Sequence, residues 1–159
     1  MDRLSPLDAL FLSRDTPNEP RQIASLVLLE PDGSPLTFDG LIKALNERLD
    51  IVPRYRQVPY KVPGGIGTPV WRDYPRFDIA HHVRRSALPR PGGRAELHEL
   101  VGRLVARRLE LDRPLWELYY IEGLEGGGEA LLFKAHQALV DGSETIDLAQ
   151  VLLEETDRV

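Results

Sequence analysis

The stretch Lys134-Ala135-His136-Gln137-Ala138-Leu139-Val140-Asp141-Gly142 says most about the fold. It begins within a nearly unbroken apolar run, residues 130–136, which predicts a buried strand. The Asp141-Gly142 pair predicts a tight turn. A helix is expected after the turn, with its apolar stripe at Ile146, Ala149, Leu152 and Leu153. By itself this pattern fits an ordinary strand end with a hydrogen-bonded core histidine as well as it fits a catalytic loop.

Working backwards along the chain, residues 116–122 alternate between apolar and polar side chains, as a half-buried strand does. The run Glu125-Gly126-Gly127-Gly128 separates them from the apolar run and predicts a hairpin of two adjacent strands. Residues 95–111 carry an apolar stripe at helical spacing and predict a helix. Residues 77–88 predict another strand.

The amino-terminal part also mixes both kinds of element. Ser5-Pro6 is a helix-start signal. The short helix that follows is expected either to pack on the core or to present its leucines as a lip towards lipid. Residues 22–30 predict a largely buried strand, and Thr37 can cap a helix that ends before Pro53. Residues 53–76 are expected to form a long, partly extended loop. The order of elements indicates one α/β or α+β unit with a mixed sheet and flanking helices.

Composition excludes several classes of function. The chain has 159 residues, a net charge of −5 and no cysteine, which excludes disulfides, thiolate nucleophiles and cysteine metal sites. The acidic balance argues against nucleic acid as a partner. No Gly-x-Ser-x-Gly elbow, phosphate loop, signal peptide or membrane-spanning run is present.

Histidine and arginine clusters have simple explanations in the sequence. His81 and His82 would point to opposite faces of the predicted strand, so no metal site is expected there. His98 flanks the apolar stripe of its helix and is expected to be structural or solvated. Eight arginines lie between Arg84 and Arg113 among acidic residues. They predict a solvated helix face, or alternatively a rim that steers the phosphates of a nucleotide-like ligand.

The motif segment also has a family resemblance. His136-Gln137-Ala138-Leu139-Val140-Asp141-Gly142 resembles the His-His-x-x-x-Asp-Gly motif of the bacterial wax ester synthase/diacylglycerol acyltransferase family. Three further stretches match that family in the same order. They are Ser5-Pro6-Leu7-Asp8-Ala9-Leu10-Phe11, the segment from Phe77-Asp78-Ile79 to His82-Val83-Arg84, and Arg113-Pro114-Leu115-Trp116-Glu117.

The resemblance implies a fold and a reaction. The fold is that of the chloramphenicol acetyltransferase and condensation-domain group, in which two similar halves enclose a tunnel. Acyl-CoA enters from one side and an alcohol or diacylglycerol from the other, and no bound cofactor or metal is implied. Residues 1–159 would form the amino-terminal half, with the carboxy-terminal half absent from this chain. The implied location is the cytoplasm, at the periphery of membranes or lipid droplets.

The resemblance assigns roles to individual residues. The family's catalytic second histidine falls on Gln137, and His136 matches the first, structural histidine. Asp141 would orient the loop, and Gly142 would allow close approach of the substrate, with Trp116 as a further substrate contact. A glutamine amide cannot act as a general base near neutral pH. If the strand continues through residue 137, His136 points away from Gln137 and cannot replace it.

Three interpretations therefore remain open from the sequence. The chain is half of an O-acyltransferase that makes triacylglycerol or wax esters, and is inactive or nearly so when isolated. Alternatively it is a non-catalytic relative that binds acyl-CoA, lipid or a partner protein. The third interpretation is an unrelated α/β interaction domain. In the first, the unpaired half of a tunnel favours self-association through an exposed apolar face.

Overall fold

The computed structural model describes residues 2–31, 36–64 and 67–140. Helices and strands are interspersed along this part of the chain, and a 3-10 turn at Pro53–Arg56 joins the second helix to the second strand. The elements in chain order are α1 Pro6–Arg14, β1 Gln22–Leu29, α2 Phe38–Leu49, β2 Gln57–Tyr60, β3 Val70–Asp73, α3 Ile79–His82, β4 Val83–Ala87, α4 Arg94–Ala106, β5 Trp116–Glu122, β6 Glu129–His136 and α5 Gln137–Val140.

The main sheet has four strands in the order β1-β6-β5-β4. β6 pairs antiparallel with both β1 and β5, whereas β4 runs parallel to β5. The sheet is therefore mixed, and β5 and β6 form the predicted hairpin. β2 and β3 form a separate antiparallel pair. The predicted mixed α/β architecture with flanking helices is confirmed.

Alternate residues of β6 enter two different cores. Leu131, Phe133 and Ala135 pack in a cluster with the leucines of α2. Ala130 and Leu132 pack on the opposite face, against α4. Because both faces of β6 are covered, all residues from Ala130 to His136 are buried, which explains why this strand reads as a continuous apolar run.

Local capping positions the two amino-terminal helices. The Ser5 side chain accepts from the Asp8 N–H, and the Asp8 carboxylate accepts in return from the Ser5 N–H. Leu7 and Leu10 of α1 are 48% and 41% exposed, so part of the helix faces solvent. The Thr37 hydroxyl accepts from the Gly40 N–H and starts α2.

The prediction that residues 22–30 are largely buried is wrong. β1 lies at an edge of the sheet, and Ile23, Leu26 and Leu28 are 37–59% exposed. Its side chains alternate between the same two faces as those of β6, but the helices of the described residues lie mainly over the inner strands. Hydrophobicity predicted the strand correctly and its position in the sheet incorrectly.

Three predicted boundaries also change. The expected loop of residues 53–76 contains the β2–β3 pair, with Trp71 in the core. The expected strand 77–88 is divided, because Asp78 caps α3 before β4 begins. The helix expected to reach residue 111 ends at Ala106, where side chains of the sheet bind its last carbonyl groups.

Within the described ranges, no helix is long and apolar enough to cross a membrane.

Two glycines provide a matched test of the packing around α4. Gly92 has φ +74°, and a Cβ there would lie 1.9 Å from the carbonyl oxygen of Gly123. Gly102 lies within α4 with open space around it. We expect Gly92→Ala to lower the free energy of unfolding by at least about 2 kcal/mol. Gly102→Ala should raise it by roughly 0.5–1 kcal/mol, through its better helix propensity.

Urea denaturation of both variants measures the difference. Equal effects of the two substitutions would contradict the close backbone approach at Gly92.

Candidate functional site

His136 ends β6 and is completely buried. Its Nδ1 accepts a hydrogen bond from the backbone N–H of Ala138 at 3.0 Å. The other ring nitrogen, Nε2, lies 3.1 Å from Oδ2 of Asp15. Since Nδ1 accepts, the proton of the neutral ring belongs on Nε2, which donates to the carboxylate. Both nitrogens are thus occupied by fixed partners.

Burial lowers the pKa of His136 from its usual value, and the nearby Asp15 carboxylate opposes this shift. The imidazole is therefore neutral at physiological pH. A neutral histidine can act as a base only through a free ring nitrogen, and here the acceptor nitrogen holds the Ala138 amide. With both ring nitrogens engaged, His136 holds the surrounding backbone in place.

Asp15 lies just after α1, and its side chain is only 1% exposed. Its Oδ1 accepts from Nε of Arg108 at 2.6 Å, and Nη2 of the same arginine forms an ion pair with it. Its Oδ2 accepts from the backbone N–H of Arg21 at 3.0 Å and also faces His136. A buried carboxylate needs several donors of this kind to offset its loss of hydration.

Gln137 is the first residue of α5 and follows His136 at the end of the sheet. Its backbone N–H donates to the carbonyl oxygen of Arg21 at 2.8 Å. The side chain is half-buried, and its Oε1 has no hydrogen-bond partner among the described residues. The chain thus places a carboxamide, which can orient a donor but cannot take its proton, at the start of the turn.

The prediction that residues 136 and 137 point to opposite faces requires a strand that reaches residue 137, but β6 ends at His136 and Gln137 begins a helical turn. His136 nevertheless lies on the side of Lys134, as expected. Lys134 bonds to the carbonyl of Arg107, and His136 bonds to Asp15, the partner of Arg108. Lys134 and His136, two positions apart in β6, therefore face the same loop after α4.

Two polar side chains of the sheet hold that loop. Nζ of Lys134 donates to the carbonyls of Leu104 and Arg107 at 2.9 and 2.5 Å. The Gln22 amide donates to the carbonyls of Val105 and Arg107 and accepts from the N–H of Leu109. These contacts satisfy carbonyls that the end of α4 leaves free, which fixes the position of Arg108 next in the chain.

The Lys134 ammonium is also 3.2 Å from Glu117, which accepts from the Tyr119 hydroxyl. Burial lowers the pKa of Lys134, and the attraction of Glu117 partly compensates. Burial together with the bond to Glu117 raises the pKa of Tyr119 to about 12. Lys134, Glu117 and Tyr119 therefore form one connected hydrogen-bond network.

Trp116 is fully buried, and its Nε1 donates to the carbonyl of Tyr55 at 2.8 Å. Its ring stacks on His82, which in turn stacks on Phe77. Nδ1 of His82 lies 2.8 Å from the carbonyl of Trp116. These contacts place Trp116 in the core, and its contact with substrate stays a prediction.

The histidines and several of the arginines have protein partners or lie exposed, and the predicted phosphate-steering rim stays a prediction. No group of three or more potential metal ligands occurs in the part of the chain that the structure describes. His81 and His82 lie in a short helix, with His82 buried in the aromatic stack. His98 is exposed on α4. Arg85 and Arg113 pair with neighbouring acids, and Arg108 pairs with Asp15.

Asp141 and Gly142, predicted as orienting and substrate-contacting residues, lie outside the described residues. Among the remaining candidates, His136 and Gln137 lie next to each other at the carboxyl end of β6, whereas Trp116 lies in the core. Sequence reasoning missed Asp15, Gln22 and Arg108. The contact between Asp15 and His136 spans 121 positions, and no local pattern predicts it.

Comparison with known families tests the third interpretation, an unrelated interaction domain. The model of the wax ester synthase/diacylglycerol acyltransferase catalytic domain matches residues 4–158. The chain belongs to this family. The resemblance of its motif segment is therefore confirmed, and the unrelated interaction domain is excluded. The family is one of O-acyltransferases, so the enzyme class expected from the motif is confirmed at family level.

Individual members support the assignment. A probable diacylglycerol O-acyltransferase of Mycobacterium tuberculosis is 43% identical over 156 residues, which cover 98% of this chain and 58% of the relative. A second one from that organism is 39% identical, with 94% of this chain and 34% of the relative covered. The chain thus spans little more than half the length of the first relative, and about a third of the second.

Solved structures agree with the fold. The wax ester synthase/diacylglycerol acyltransferase from Marinobacter aquaeolei VT8 superposes with a TM-score of 0.71 at 29% identity. The match covers 98% of this chain and 37% of that one. The starter condensation domain of rhizomide synthetase gives a TM-score of 0.64 at 14% identity, over 98% of this chain and 43% of that domain. The second likeness shows the shared fold, as expected for the chloramphenicol acetyltransferase and condensation-domain group.

The buried histidines predict how stability depends on pH. Burial lowers the pKa of both His82 and His136, so the unfolded chain binds more protons as pH falls below about 6.5. The free energy of unfolding should therefore decrease with falling pH in that range. Each histidine contributes a slope of up to about 1.4 kcal/mol per pH unit.

His82→Phe keeps the aromatic stack and removes one of the two contributions. Urea denaturation at pH 7.5, 6.5 and 5.5 should show a shallower acid limb for this variant. His98→Phe, at an exposed position, is the matched control and should keep the wild-type slope. An unchanged slope in His82→Phe would show that His82 titrates alike in the folded and unfolded chains.

Proposed function

We propose that this chain is the amino-terminal domain of an acyl-CoA-dependent O-acyltransferase that forms triacylglycerol or wax esters from diacylglycerol or a long-chain alcohol. The family match over nearly the whole chain carries the proposal. We further propose that Gln137 makes this chain inactive or nearly so. The relatives are longer, and we propose that a second region like theirs completes the tunnel.

The proposed reaction transfers an acyl group from sulfur to oxygen. The acceptor hydroxyl loses its proton to a base as its oxygen attacks the thioester carbonyl. A C–O bond forms, the C–S bond breaks, and the CoA thiolate leaves and recovers a proton. The family's base falls at position 137, at the end of the buried strand and next to a histidine with no free ring nitrogen.

Gln137 supports binding of the acceptor better than its deprotonation. Oε1 is buried and has no partner in the described part of the chain, and a hydroxyl that reached it would be oriented by the hydrogen bond it donates. The missing base is expected to lower the rate by a factor of roughly 10² to 10⁴. That factor corresponds to about 3 to 5 kcal/mol of activation free energy.

The alternative is a relative that binds acyl-CoA, lipid or a partner protein without catalysis. Gln137 Oε1 has no partner among the described residues, which favours a protein that still binds a ligand over one that neither binds nor catalyses. The exposed apolar side chains of β1, an edge strand, are compatible with contact to a second domain or a second copy. Location at the periphery of membranes or lipid droplets is part of the proposal and follows from its substrates.

The proposal predicts that Gln137→His restores ester formation. CoA release from palmitoyl-CoA would be measured with hexadecanol or dioleoylglycerol, in the presence of the carboxy-terminal region of a relative. We expect turnover at least about 100-fold above that of the wild-type chain. Gln137→Asn changes the same side chain without supplying a base, and it should remain as inactive as wild type.

Each outcome has a distinct meaning. Equal turnover in wild type and Gln137→His would mean that another group acts as base, against the assignment of Gln137. No turnover in either, with the two regions shown to associate, would reject the acyltransferase and favour the binding protein.

A further inference from the structure

The environment of the motif contains a buried carboxylate that the family motif does not include. Asp15 follows α1 in the sequence, 121 positions from His136, yet their side chains meet at 3.1 Å. We propose that Asp15 is a positioning residue for position 137, held in place by Arg108. The inference deepens the proposed function and depends on it only for its catalytic consequence.

The first route runs through His136. Asp15 accepts the Nε2–H of the imidazole, which fixes both the tautomer and the plane of the ring. The ring can then present Nδ1 as an acceptor to the N–H of Ala138 at 3.0 Å. Ala138 follows Gln137 directly, so this bond fixes the backbone on the carboxyl side of position 137.

The second route runs through Arg21. The same Oδ2 of Asp15 accepts the backbone N–H of Arg21 at 3.0 Å. The carbonyl of Arg21 then accepts the N–H of Gln137 at 2.8 Å. The amide of position 137 is therefore fixed as well. Both peptide groups that flank the α-carbon of residue 137 depend on one carboxylate.

Arg108 keeps that carboxylate in place. Its Nε donates to Oδ1 at 2.6 Å, and its Nη2 also donates to the Asp15 carbonyl at 3.2 Å. The chain around Arg108 is itself fixed by Lys134 and Gln22, through the carbonyl of Arg107 and the N–H of Leu109. A charge-assisted, two-atom contact of this kind is stronger and more directional than one between neutral groups.

The arrangement has a consequence for catalysis. A side chain at position 137 acts on the acceptor hydroxyl only when its backbone is correctly placed, because small displacements of a reacting group greatly reduce rates. Asp15 is buried, and its described contacts are with Arg21, Arg108 and His136, so the proposal assigns it no direct contact with substrate. Its removal should change the geometry at position 137 while the sheet remains folded.

Amide hydrogen exchange measured by NMR tests this in the protein as it exists. In Asp15→Asn the amides of Gln137 and Ala138 should exchange at least about tenfold faster, since the charged acceptor is lost. The amide of Leu132, in the middle of β6, should keep its rate. Asp73→Asn changes an exposed carboxylate that binds the Gln57 amide, and it serves as the matched control with no effect at either site.

A second variant covers the case in which Asp15→Asn does not fold. Arg108→Lys keeps the positive charge but loses the two-pronged contact, so exchange at Gln137 and Ala138 should rise by about threefold or more. Unchanged exchange at these two amides in the folded variants would overturn the proposal. Equal acceleration at Leu132 would also overturn it, because that pattern indicates general destabilisation.

The catalytic consequence is tested in the Gln137→His background. Adding Asp15→Asn should lower kcat at least about tenfold and change the KM for palmitoyl-CoA by less than about twofold. A rise in KM with unchanged kcat would overturn a positioning role. If Gln137→His itself shows no turnover, the proposed function fails, whereas the exchange experiment still decides whether Asp15 positions residue 137.

Discussion

Burial of polar groups at the end of β6 is the constraint on which the rest of the structure depends. Lys134 and His136 are completely buried although both carry polar atoms. Such groups are tolerated only with hydrogen-bond partners, because water is excluded from them. Partners come from Asp15, Glu117 and the end of α4, so elements distant in sequence converge on the strand that leads into the motif.

The same constraint separates two neighbouring residues by function. His136 uses both ring nitrogens to hold the chain together, whereas Gln137 begins a new turn with an acceptor atom free of partners in the described residues. The two side chains therefore differ in what they are free to bind. The carboxamide of Gln137 can hydrogen-bond a hydroxyl but lacks the basicity to take its proton.

Much of the fold could be predicted because the signals are local. The apolar run of β6, the stripe of α2 and the Ser5-Pro6 helix start all correspond to elements of the structure. The errors arise where contacts distant in the sequence decide the outcome. β1 is as hydrophobic as an interior strand but lies at an edge of the sheet. The helix predicted for residues 95–111 ends early, at carbonyl groups that Gln22 and Lys134 bind.

The sequence by itself determined the mixed α/β class, the family and the presence of a glutamine within the motif segment, since these follow from periodicity and from a contiguous motif. Only the tertiary structure decided what surrounds that position. Asp15 bonds to His136, Arg21 accepts from the N–H of Gln137, and Arg108 holds Asp15, all through hydrogen bonds between segments far apart in the chain. Such contacts depend on how strands and helices pack, so the spacing of residues along the sequence does not predict them.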